Sequence, residues 1–118
     1  MDINFPEEVP LLGFYYHYKH DPTGEINNYA YEVIGVGFHT EEDARPGEEH
    51  FLIYRPLYEK AGVYIASKKL GIPCFDNSPL SMWMEMVGEG DQTVPRFQKI
   101  NDPHTITELD HFRDEMYS

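Results

Sequence analysis

The run Tyr29-Ala-Tyr-Glu-Val-Ile-Gly-Val-Gly-Phe38 constrains the fold more than any other part of the chain. Its β-branched and aromatic residues suit a pleated, half-buried strand better than a helix. Gly35 and Gly37 stand two apart, so both fall on one face, where they predict a bend or the close approach of another backbone. A strand of this strength near the centre of a short chain implies a mainly β fold, with partner strands expected in the flanking segments.

Upstream, Phe14-Tyr-Tyr-His-Tyr-Lys-His20 is dense in aromatic residues and free of breakers until the turn chemistry of Asp21-Pro-Thr-Gly24, which predicts a strand and then a loop to about Asn28. Residues 1–13 hold Pro6 and Pro10 and end on Leu11, Leu12 and Gly13, an extended arm expected to lay its leucines on the core. Downstream, His39 to His50 is rich in acids with a Pro46-Gly47 turn, a solvated loop. Phe51-Leu-Ile-Tyr54 resumes a strand, and Pro56 limits further pairing unless that strand is an edge. Gly62-Val-Tyr-Ile-Ala66 reads as another strand, and residues 67–77 as a looser excursion with Lys68, Lys69, Gly71, Pro73 and Cys74. Ser78-Pro79 matches an N-cap and first helical position, predicting a short helical turn near 79–84 with Trp83 pointing inward. Met86 to Ile100, turning at Gly88-Glu-Gly-Asp91, reads as a last hairpin with Pro95 near an edge. Thr105-Ile-Thr-Glu108 has the form of a capping box, and Ile106, Leu109, Phe112 and Met116 recur at nearly helical spacing, predicting a C-terminal helix near 106–116. The expected organisation is an arm over 1–13, a domain over 14–100 and the helix within 101–118. About five short strands with one late helix point to a small barrel or roll, mainly β with minor α content.

With 118 residues, 41% apolar and 14% aromatic, the chain can bury one core. Its 21 acidic against 9 basic residues give a formal charge of −12, which repels phosphate backbones and anionic lipid and disfavours nucleic acid as a partner. No segment has the length and apolarity of a membrane span, the N-terminus lacks the pattern of an export signal, and the lone Cys74 forms no internal disulfide, so a cytoplasmic setting is expected.

Four segments together are similar to a bacterial family known as domain of unknown function 1653: Tyr16-His-Tyr-Lys19; Tyr31-Glu-Val-Ile-Gly-Val-Gly-Phe-His39 with Thr40-Glu41; Ile53-Tyr-Arg55 with Leu57-Tyr58; and Pro79-Leu80 with Met82-Trp83, continuing to Val94-Pro-Arg-Phe97. The resemblance covers about residues 14–100 and implies an SH3-like small barrel. The chain departs from the family pattern through extra residues at 20–28, 41–50 and 66–77, and through Asn77-Ser78 where the family usually shows an arginine before the proline. If that arginine serves a site, this protein has lost or relocated the activity.

The matching positions singled out as candidates are His17, Tyr18, Lys19, His39, Glu41, Tyr54, Arg55, Tyr58, Arg96 and Phe97, to which Trp83 adds a ring. Tyr16, Tyr18, Tyr54, Tyr58 and Trp83 supply the flat surfaces that grip extended or proline-rich peptides, although each also suits a core or cross-strand role. Arg55 and Arg96 can hold a carboxylate or phosphate, or pair with a neighbouring acid and fix a corner. His17, His20, His39 and His50 with Glu41, Glu42 and Asp43 match no metal-ligand spacing, and Cys74 lacks a local histidine, so no metal, cofactor or catalytic residue is assigned. No nucleophile elbow, phosphate-binding glycine loop or zinc-peptidase motif occurs. The expected function is therefore a noncatalytic recognition module that takes a protein or peptide partner, or a small polar ligand, on a tyrosine and arginine face. Two alternatives remain at this level. One is an enzyme or regulatory subunit with His17 as acid or base and Arg55 holding an anionic substrate; the other is an RNA-associated barrel.

Overall fold

A computed structural model of the protein describes residues 5–41 and 43–118. The fold is mostly β, built on a five-stranded antiparallel sheet with a separate two-stranded hairpin and a C-terminal helix. The sheet runs β4-β3-β2-β1-β7, formed by β1 (Gly13–His17), β2 (Ala30–Phe38), β3 (His50–Pro56), β4 (Asp76–Pro79) and β7 (Phe97–Lys99). β2 is its central strand, in keeping with its composition. Its pairing with β3 shifts register between Val33 and Gly35, a bulge that realises the bend expected from the paired glycines. Gly37 also meets a close neighbour, since a Cβ there would lie 3.3 Å from Ile53 Cδ1.

Several expectations are corrected. The edge strands β4 and β7 do not pair, so neither sheet closes into a barrel. The expected last strand is divided: β6 (Gln92–Pro95) pairs only with β5 (Met86–Glu89), and after Arg96 the chain crosses to β1 as β7. β3 is an interior strand, and Pro56 is tolerated because it is the last residue of its ladder.

Gly62–Leu70 is a helix, α1, where a strand and a loop were expected. The helical run continues through Ser67-Lys-Lys-Leu70 to Gly71, whose left-handed conformation (φ 70°) and N–H bond to Ser67 O stop it, while Lys68 and Lys69 complement the helix dipole. Tyr64 secures α1 through an edge contact with Tyr117 and a hydroxyl bond to Met116 O. The short helix α2 (Leu80–Trp83) buries Trp83 as expected and Leu80 with it, but its N-cap is Pro79 and Ser78 belongs to β4. The C-terminal helix α3 (Pro103–Tyr117) begins earlier than the capping-box pattern suggests. Asp102 is its N-cap, accepting from the Thr105 N–H at 2.9 Å and its hydroxyl at 2.7 Å, with Pro103 in the first turn. In the arm, Leu11 and Leu12 are 73% and 66% exposed instead of lying on the core.

The period-two alternation of strands gives the sheet two faces. Phe14, Ala30, Leu57 and Ile100 pack with Leu109 of α3 on one, joined by Ile106 and Phe112. Tyr15, Val33 and Leu52 pack with Leu80 and Trp83 of α2 on the other. No helix among the described residues is long and apolar enough to cross a membrane.

Candidate functional site

The α2 side of the sheet carries a patch of aromatic side chains that reaches beyond its buried cluster. His17 and Phe97 are cross-strand partners on β1 and β7, with ring centroids 5.0 Å apart. Phe97 meets Tyr31 at 5.8 Å, Tyr31 meets Tyr58 at 5.7 Å, Tyr58 meets Tyr29 at 6.2 Å, and Tyr29 stacks on His17 at 5.6 Å. These contacts close a circuit of five rings. Tyr54 adjoins it through Tyr31 and Phe97, and Trp83 stacks on Phe97 at 3.5 Å. Edge-to-face and stacked geometries of this kind hold rings in place while leaving their outer faces available.

Burial desolvates the polar groups of Tyr31, Tyr54, Tyr58 and His17. The Tyr31 and Tyr58 hydroxyls share a 2.5 Å hydrogen bond. Burial raises both phenols, and in Tyr31 the bond to Tyr58 adds to that rise. Tyr54 is pushed up to about 12 by burial and then by the negative charge of Asp76, its cross-strand partner on β4. Burial likewise raises the Asp76 carboxyl. His17 is held below the usual imidazole range, first by burial and then by the positive charges of Lys19 and Arg96. The patch thus presents neutral rings and hydroxyls at neutral pH with one destabilised carboxylate at its β4 edge.

The residues singled out from sequence fall into three places. His17, Tyr54 and Tyr58 join the patch, and Trp83, 2% exposed, forms its floor. Tyr18 and Lys19 lie in the turn after β1 at its rim, with Tyr18 tilted on His17 and the Lys19 N–H donating to His17 Nδ1. Arg96 is close by, its guanidinium paired with Glu85 at 3.0 Å and its backbone carbonyl accepting from the Tyr18 N–H. His39 and Glu41 are elsewhere: they follow the other end of β2, where the Glu41 N–H donates to His39 Nδ1.

Arg55 follows Tyr54 in β3 and so lies on the α3 side. There it pairs with Glu32 at 2.8 Å and lies 4.0 Å over the Tyr117 ring, while Arg113 binds the other Glu32 oxygen at 3.0 Å. Arg55 also lines a cavity of about 380 Å³ with Lys68, Cys74 and the C-terminal residues. The sheet therefore separates Arg55 from His17 and from the tyrosine patch. Tyr16 is on the α3 side as well, its hydroxyl bonded to Ile26 O and its ring stacked on His20. Among the described residues, no three His, Cys, Asp or Glu side chains gather to hold a metal; Glu42 lies outside them.

Sequence reasoning missed Tyr29, Tyr31 and Asp76 as site residues. The Tyr29-x-Tyr31 alternation into β2 was a usable sign that two rings share a face. Asp76 had none, because its place depends on the pairing of β4 with Tyr54.

No family model and no curated protein matches the chain. Among solved structures, the crystal structure of a DUF1653 protein from Bordetella bronchiseptica is similar, with a TM-score of 0.50 and 25% identity over 77% of this chain and 87% of that one. The shared fold and the motif segments along β1, β2, β3 and α2 both support a relationship to the domain of unknown function 1653 family.

Proposed function

We propose that the protein is a noncatalytic recognition module, SH3-like in its strand plan and cytoplasmic, that binds a peptide or a small polar ligand on the tyrosine patch. The observation that carries this reading is the closed circuit of His17, Tyr29, Tyr31, Tyr58 and Phe97 on one sheet face. A core needs rings in contact but has no need to bring their edges to solvent, and Tyr29 remains 41% exposed. Rigid rings with hydroxyl tips offer large contact area at little cost in side-chain entropy, which is why such residues dominate binding hot spots. The arginine half of the expected face is absent from this reading, since Arg55 is engaged by Glu32 on the other side.

Amide NMR of the isotope-labelled chain, titrated with pools of basic peptides, proline-rich peptides, nucleotides, short single-stranded RNA and divalent metals, tests it. Shifts should concentrate on Tyr29, Tyr31, Tyr54 and Tyr58 for one pool and be lost in Tyr58→Ala. Shifts confined to the α3 side, or silence in every pool, would remove the proposal.

A further inference from the structure

The tyrosine patch ends at Tyr29 and Tyr58, and both of these rings also line a groove of about 760 Å³. Its walls come from the loop before β2, the turn after β3 and the last turns of α3, a volume within the range of small-ligand sites. Glu25, Glu59 and Glu115 line it, and among the described residues no side-chain hydrogen bond or ion pair engages any of the three carboxylates. Asp21 adds a fourth acid, against Lys60 as the one lysine of the lining. Like charges gathered in a concave site raise the local concentration of a cation.

A second observation is independent of that charge. Asn27, also in the lining, is 7% exposed. Its Nδ2 donates to Leu57 O at 2.9 Å, which fixes the amide's orientation and leaves Oδ1 as the free end. Among the described residues nothing donates to that buried oxygen. Buried acceptors are nearly always satisfied, so this oxygen, on a residue of the groove lining, is an unmet demand for a donor beside the groove. Tyr29 and Tyr58 supply ring faces for the apolar stem and for cation–π attraction.

We propose that the groove binds an alkyl chain ending in an ammonium or guanidinium group, its charge among Glu25, Glu59 and Glu115, its N–H directed to Asn27 and its stem on Tyr29 and Tyr58. The proposal rests on the recognition reading above and supplies the ligand's chemical class. A bare divalent metal suits the groove less well, because no set of ligands converges among the described residues. The same chemistry is offered by a lysine or arginine side chain of a basic peptide and by a free polyamine.

The full labelled chain is therefore titrated with spermidine and with an end-blocked Gly-Lys-Gly-Arg-Gly peptide, using as control the peptide with acetylated lysine and with citrulline for arginine. Amide shifts should appear at residues 25–29, 58–60 and 112–116 for at least one cation. The control should bind at least about tenfold more weakly, as should the Glu25→Gln, Glu59→Gln, Glu115→Gln triple variant toward the cations. These glutamates are exposed, so the variant's unliganded spectrum should match wild type and report intact folding. A response to spermidine alone assigns a free amine, and one to the peptide alone assigns a peptide side chain. Equal binding of the neutral control, or undiminished cation binding by the folded variant, overturns the inference. Silent cations with a neutral ligand moving Tyr31 and Tyr54 would refute this ligand class and leave the recognition reading standing; silence toward every ligand would remove both.

Discussion

Tyr54 and Arg55 are chain neighbours with opposite surroundings. Arg55, Arg113 and Glu32 form a partly buried ion-pair network in which one carboxylate serves two guanidinium groups. Removing one partner of such a group costs more than the pair contributes net, because the remaining charge stays desolvated. Arg55→Ala should therefore destabilise the protein by about 1–3 kcal/mol in urea unfolding. Unchanged stability would show that the network contributes little, freeing Arg55 for an anion site in the cavity beside Cys74. Asp76 offers a pH test. Its carboxyl is raised by burial, so the native state holds its proton more tightly than the unfolded chain does. The stability it contributes is complete below the ordinary carboxylate range and is lost as pH rises through the folded-state value. Asp76→Asn cannot ionise, so its Tm should exceed that of wild type near about pH 7, with the difference shrinking toward about pH 3. A difference independent of pH would mean that Asp76 is better solvated than its position beside Tyr54 implies.

Among the elements, α3 closes one face of the sheet. It covers the Phe14 and Ala30 side with Leu109 fully buried, and its Tyr117 hydroxyl donates to Pro56 O at the end of β3. Leu109→Ala should cost about 2–5 kcal/mol in equilibrium unfolding, the range for a buried leucine that leaves a cavity. Asp102→Ala should cost only about 1 kcal/mol, since it removes one cap while the packing remains. Comparable effects from the two would mean that α3 is held by its own helicity more than by the sheet. The β5–β6 hairpin is different, being paired only with itself and contributing nothing to either core. Even so, Gly88 is fixed there, because its φ is 118° and a Cβ would come within 2.3 Å of Gln92 O.

For the whole molecule, the −12 charge acts as self-repulsion in the compact state. Raising ionic strength from about 0.02 to 0.3 M should increase thermal stability, because screening shortens the reach of that repulsion to a few ångströms. A fall in Tm would instead mean that the ion pairs around Glu32 outweigh it. The same field favours cationic ligands on approach, so the groove proposed here should lose affinity over that salt range.

The division between what could and could not be foreseen follows from the range of the interactions. Local chemistry in the sequence was enough for β1, β2, β3, the inward Trp83 and a C-terminal helix, because periodicity, β-branching and proline position act within a few residues. α1 was misread because Val63 and Ile65 suit a strand, whereas the Gly71 stop and the contact of Tyr64 with Tyr117 decide for helix. Whether the strands close into a barrel is a property of edges distant in sequence, and the open order β4-β3-β2-β1-β7 emerges only when those edges are built. The candidate site divides in the same way. Aromatic density announced a tyrosine face, yet the separation of Arg55 from Tyr54, the arrival of Asp76 beside Tyr54 and the sharing of one groove by Glu25, Asn27, Glu59 and Glu115 depend on strand register and helix docking. The sequence by itself determined a mainly β, acidic, tyrosine-rich domain; only the tertiary structure decided which rings and charges share a face, because that choice rests on contacts between residues far apart in the chain.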